Sequence, residues 1–181
     1  MKLRWSHYVL NVRNLDEMLD FYTNVLGFEV TDRGRLHPAD DAPQIVFMSQ
    51  VETDHHQLAF LSNRQDEDPP NSVHHAAFRT DTLADVKAMI QKLEKDGRAT
   101  GMMPLTHGNA WSIYFQDPEG NAVEVFCDTP WHVRQPQARP WDPSLSEADL
   151  LTWTKEEFGA DPEFGPIDDY YAARAKHLRE R

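Results

Sequence analysis

The chain carries a single cysteine, Cys127, so it can form no internal disulfide and must hold itself together by packing. It has no apolar run near the roughly 18 residues that span a bilayer, and its first residues lack a signal-peptide core. Positive charge is scarce: 18 Lys and Arg against 30 Asp and Glu give a formal net charge of -12. Nucleic acid and anionic membranes both demand a basic surface, so this balance argues against either as a partner. These absences together predict a cytoplasmic protein whose partner is a small molecule.

What is present is enough for a core. At 181 residues with 40% hydrophobic content, the chain can hold one compact domain or two small fused repeats. The most informative stretch runs from Thr106 to Phe126, where two strand-like runs flank the turn sequence Asp117-Pro-Glu-Gly-Asn121. Proline presets the turn and glycine takes its left-handed position, which predicts a β-hairpin. Trp111, Ile113 and Phe115 alternate with Ser112, Tyr114 and Gln116, and Glu124 interrupts an otherwise apolar second strand. A carboxylate there is costly unless a cation neutralises it or that face of the strand is wet.

The chain in order reads as a pattern stated twice. Residues 5–12 predict a strand with Tyr8, Leu10 and Val12 on one face and His7, Val9 and Asn11 on the other. A helix from Asn14 to Gly27 follows, with strands at about 28–33, 44–49 and 55–61. A charged, proline-rich linker over Ser62–Ser72 leads to a second strand at 73–80, a helix ending at Asp96-Gly97, and strands at about 98–103, 110–116 and 121–127. The expected fold class is therefore α+β: two tandem βαβββ modules, about 1–62 and 73–127, forming one half-barrel-like metal site. A single offset of 68 places His75 on His7 and carries Glu124 onto His56. Symmetric modules would then gather His7, His75, Glu124 and His56 around one site, and two imidazoles plus a carboxylate describe the ligand set of non-haem Fe(II) oxygenases. Each histidine taken alone also fits an ordinary surface or core residue.

Residues 128–181 differ in character. Prolines dominate up to Pro143, predicting an extended arm in which Trp131 and Trp141 pack on the body. Helices are expected from Ser146 to about Phe158 and from Pro166 to Leu178. The tail is expected to dock on the body or on a partner subunit.

The segments His7-Tyr-Val-Leu-Asn-Val, Phe21-Tyr-Thr-Asn-Val-Leu-Gly-Phe28 and Asp117-Pro-Glu-Gly-Asn-Ala-Val-Glu124 resemble the vicinal oxygen chelate superfamily over about residues 5–127. Its members include glyoxalase I, type I extradiol dioxygenases and the bleomycin- and fosfomycin-resistance proteins. The chain is most similar to single-domain extradiol catechol dioxygenases, without the extra N-terminal domain of many of them. The resemblance implies metal ligands His7, His75 and Glu124, an Fe(II) cofactor with Mn(II) as the alternative, and a catecholic substrate with O2. It implies an acid/base histidine at His56, with His55 beside it, and substrate contacts from Tyr114 and His107, the latter closer to Tyr114 than the family usually has it. A homo-oligomer is expected. Two alternatives stand beside this: a glyoxalase I-like isomerase or lyase, which needs a fourth ligand at His56 or Gln57, and a resistance protein that sequesters a drug without metal.

Overall fold

A computed structural model describes residues 5–65 and 73–179. By contacts the chain divides into two units, residues 1–74 with 117–121, and residues 75–116 with 122–181.

The first unit has the order βαβββ: β1 (Tyr8–Asn11), α1 (Leu15–Asp20), β2 (Glu29–Arg35), β3 (Gln44–Ser49) and β4 (Leu58–Leu61). Asn14 caps α1 by accepting from the Glu17 amide, as its side-chain chemistry favours. The expected single helix changes winding midway, because Phe21–Val25 form a π turn. Met18, Phe21, Tyr22 and Val25 are all buried. The sheet order is β1-β4-β3-β2, with β1 parallel to β4 and the rest antiparallel. Leu10, Val46, Met48, Leu58 and Phe60 turn one face of it into core. His7, Val9, Phe47 and Ala59 share the parity of the opposite face.

The second unit repeats this order with β5 (Ala76–Arg79), α2 (Leu83–Asp96), β6 (Thr100–Thr106), β7 (Ala110–Gln116) and β8 (Ala122–Asp128). Thr82 and Asp85 form a capping box at the start of α2, and Gly97 closes it at φ +78°. Leu83, Val86, Ile90 and Leu93 line its buried face, while Trp111, Ile113, Phe115, Val123 and Val125 bury the apolar side of the hairpin. Again the first strand lies parallel to the last, and these strands lie in the order β6-β7-β8-β5. Both sheets are open.

The strand registers correct the sequence offset. Tyr8 pairs with Leu58, and its counterpart Ala76 pairs with Val123, so Leu58 corresponds to Val123, 65 positions on rather than 68. Ala77 pairs with Glu124 where Val9 pairs with Ala59, so the counterpart of Glu124 is Ala59, not His56. The main cause is a longer connection between the last two strands: Phe47 and its partner Ala59 are 12 positions apart, whereas Tyr114 and its partner Glu124 are 10 apart. His56 thus lies in the loop before β4, outside the strand expected at 55–61.

The tail belongs to the second unit. It contributes β9 (Trp131–His132), β10 (Arg139–Pro140), α3 (Glu147–Phe158), β11 (Gly165–Pro166) and α4 (Ile167–Arg179). Within the proline-rich arm β10 pairs with β6 at the sheet edge, a place where the missing proline N–H does no harm. Trp141 is buried and its Nε1 donates to the Ser112 carbonyl at 2.9 Å, while Trp111 Nε1 donates to Thr154 of α3 at 3.0 Å. The linker residues 66–72 lie outside the described residues. Among the described residues no helix is long and apolar enough to cross a membrane.

Candidate metal centre

In the second unit one sheet face collects the polar groups. Ser112, Tyr114 and Glu124 share it because Tyr114 pairs with Glu124 and Ser112 stands two residues from Tyr114. His75, just ahead of β5, has the parity of Ala77, the residue paired with Glu124. Glu124 is only 6% exposed. Its Oε1 accepts from the Ser112 hydroxyl at 2.6 Å, and its Oε2 lies 3.3 Å from His75 Nε2. His107 Nε2 stands 3.9 Å from Oε1 and 2.9 Å from the Tyr114 hydroxyl. Burial first, and then the Glu124 carboxylate, push the Tyr114 phenol well above its usual range, so it is a neutral hydrogen-bonding group.

A carboxylate this buried needs compensation. The ion-pairing groups recorded within 4 Å of it are His75 and His107, neither of which carries a fixed charge. An imidazole on one carboxylate oxygen and a hydroxyl on the other suit a divalent cation: the hydroxyl orients the carboxylate while its second oxygen and His75 Nε2 supply donors. Among the described residues, however, no group of three or more His, Cys, Asp and Glu side chains is gathered as a metal cluster.

The first unit brings the other two expected residues together. The His7 and His56 rings lie 4.3 Å apart between centroids, and His56 packs edge-on against Phe47 at 4.9 Å. His55 Nδ1 is 2.9 Å from His56 Nδ1, and His55 also faces Asp32 at 3.9 Å. Desolvation, with the His7 and His55 rings as further causes, lowers the pKa of His56. Phe47 is the counterpart of Tyr114, since it pairs with Ala59 as Tyr114 pairs with Glu124. The first unit therefore holds histidines without the carboxylate.

Two contributions escaped the sequence reading. Ser112 was legible in principle, because alternation puts it on the face of Tyr114 and Glu124. Glu119 was not: its Oε1 accepts from the amides of Arg13 and Asn14 at 2.6 and 2.7 Å, tying the hairpin turn to residues more than a hundred positions away.

Residues 4–125 match the family described as the Glyoxalase/Bleomycin resistance protein/Dioxygenase superfamily. The chain belongs to this superfamily. Among the relatives of this superfamily member, biphenyl-2,3-diol 1,2-dioxygenase 2 of Rhodococcus globerulus is 30% identical over 129 residues, covering 69% of this chain and 63% of that protein. Biphenyl-2,3-diol 1,2-dioxygenase 3 of the same organism is 31% identical with the same coverages. Catechol-2,3-dioxygenase of Bacillus subtilis is 27% identical, covering 67% of this chain and 40% of that protein. The chain thus spans less than two thirds of the length of these relatives. Solved structures with the same fold include the fosfomycin resistance protein FosX of Listeria monocytogenes, complexed with Mn(II) and sulfate, at 19% identity and a TM-score of 0.55, covering 71% of this chain and 95% of that one. A glyoxylase/bleomycin resistance protein/dioxygenase domain from Frankia aligns with a TM-score of 0.57 at 21% identity, covering 71% of this chain and all of that one.

Proposed function

We propose that this chain is an extradiol dioxygenase that opens the ring of a catechol-type diol with O2. The observation that carries the reading is the buried Glu124 carboxylate, oriented by Ser112 and faced by His75 at 3.3 Å. His75 and Glu124, with His7 as third donor, would hold Fe(II), with Mn(II) as the alternative; two imidazoles and one carboxylate are the ligand set of non-haem Fe(II) oxygenases. When bound, such a metal offers an open face on which the two vicinal oxygens of a diol and O2 are oriented together.

The chain's own residues supply binding and proton transfer. Tyr114, neutral and hydrogen-bonded to His107, holds a substrate oxygen. His56, its basicity lowered by burial, is neutral near pH 7 and can take a proton from the diol. Nε2 is the accepting atom in the tautomer whose Nδ1–H donates to His55 Nδ1. The relatives named as biphenyl-diol and catechol dioxygenases support the same substrate class.

The strand register favours this reading over a glyoxalase-like isomerase. A four-ligand site would need a donor at the counterpart of Glu124, and that position is Ala59. The test is anaerobic loading with Fe(II), then O2 uptake with a panel of catechols beside a hemithioacetal isomerisation assay. Expected is O2 consumption matched by a yellow ring-opened product. Isomerisation without O2 uptake, or tight drug binding with neither activity, would overturn the reading.

A further inference from the structure

The turn that carries His107 is held together from outside. Residues 107–109 join β6 to β7, and three successive carbonyls in this turn accept from the tail: His107 from Gln135 Nε2 at 2.7 Å, Gly108 from Thr129 Oγ1 at 2.7 Å, and Asn109 from the Thr129 amide at 3.0 Å. Gly108 sits at φ +79°, and a Cβ there would lie 2.5 Å from Val133 and 3.0 Å from Phe158, so the arm and α3 close directly on the turn backbone. Gln135 also accepts from the Gln137 amide at 3.0 Å, and so links the turn to Gln137. The Gln137 carbonyl in turn meets His107 Nδ1.

A carbonyl oxygen can only accept, so Nδ1 must carry the proton in this contact. The other ring nitrogen, Nε2, lies 2.9 Å from the Tyr114 hydroxyl, which also has the Glu124 carboxylate as a hydrogen-bond partner. We propose that the C-terminal arm is a positioning element for the candidate site: Gln135 fixes the turn and the Gln137 carbonyl accepts from His107 Nδ1–H, so that the ring is held with Nε2 against the Tyr114 hydroxyl. The inference rests on the dioxygenase reading only for what Tyr114 acts on; the protonated Nδ1 follows from the arm alone.

Side-chain ¹⁵N spectra of the chain, labelled at histidine and recorded near pH 8, test this without metal or substrate. The His107 signal is assigned by its loss in His107→Gln. Expected is a protonated Nδ1. Gln135→Ala, and independently Thr129→Val, should reduce the protonation of Nδ1 with an unchanged far-UV spectrum, and should lower kcat for catechol cleavage by roughly 10–100-fold, the usual cost of losing an orienting partner. Rescue is expected in neither variant from added metal. A His107 with a bare Nδ1 in the unaltered chain would overturn the proposal, as would variants that leave Nδ1 unchanged. If Nδ1–H is found and shifts in the variants while no catechol is cleaved, the positioning role stands and the reaction assigned above fails.

Discussion

His74 and His75 are adjacent in sequence but differ by a strand face. Only His75 shares the parity of Ala77, the residue paired with Glu124, and its Nε2 lies 3.3 Å from that carboxylate. His75→Ala and Glu124→Ala are therefore expected to abolish Fe(II) binding, measured by metal content after anaerobic loading, while His74→Ala retains it. A His74→Ala protein without metal would mean that the ligand-bearing face has been misassigned. His56 is expected to behave differently, because it lies in a loop and its structural counterpart is not Glu124. His56→Phe should keep the metal and bind catechol, yet lose turnover by roughly 10²–10⁴-fold, as expected for a missing proton-transfer group. Loss of metal in that variant would make it a ligand and revive the isomerase alternative. The face of His75 was readable from alternation alone. The place of His56 was not, since it depends on the length of a loop that no periodicity records.

At the scale of elements, what could be read was what is locally encoded. The boundaries of α2 follow from Thr82, Asp85 and Gly97, and those of the hairpin turn from Pro118 and Gly120, all within a few residues of the feature they determine. The strand pairing of Arg139–Pro140 depends on a distant partner, and neither it nor the π turn that follows α1 left a local mark. Glu119 shows the same limit. Its carboxylate accepts two amides at the start of α1, where the helix dipole also favours a negative charge, so Glu119→Ala should cost about 1–3 kcal/mol in urea unfolding. Glu119→Gln keeps an acceptor oxygen and should recover part of that loss; equal stability of all three proteins would show that the latch contributes nothing. The end of α2 sets a pH dependence. Arg98 donates to both carboxylate oxygens of Asp96, at 2.9 and 2.7 Å, and these hydrogen bonds hold its pKa below the ordinary 3.8. The folded state thus releases this proton more readily than the unfolded one, so the stabilisation is complete above about pH 4 and is lost as pH falls through the folded value. Because the pair is partly exposed, its share is at most about 1 kcal/mol. Asp96→Asn should accordingly be less stable at pH 7 by that amount and converge on the unaltered chain near pH 2, as followed by thermal unfolding at each pH.

For the whole molecule, the expected thermodynamic signature of the metal is linkage. The candidate ligands are side chains of a folded sheet, and Glu124 is held buried beside histidines without a fixed positive charge among its recorded partners. Burying that carboxylate is unfavourable on its own, and a divalent cation would remove the penalty only in the folded state. A ligand present at a hundred times its dissociation constant adds about 2.7 kcal/mol to the stability of the state that binds it. For a chain of this size each kcal/mol moves the unfolding midpoint by about 2–4 °C, so saturating Fe(II) or Mn(II) should raise Tm by about 5–11 °C, and a chelator should reverse the shift. The single cysteine cannot imitate this effect, because Cys127 is buried and its thiol pKa is pushed up to about 12, chiefly by that burial, which keeps it from acting as a thiolate ligand. His75→Ala should lose the metal-dependent shift, and Glu124→Ala should lose it while gaining stability relative to the metal-free unaltered chain, since the variant no longer buries a charge. Scanning calorimetry of the three proteins with and without metal makes the comparison. A midpoint that ignores metal in the unaltered chain, or a shift that survives in both variants, would remove His75 and Glu124 from the metal centre.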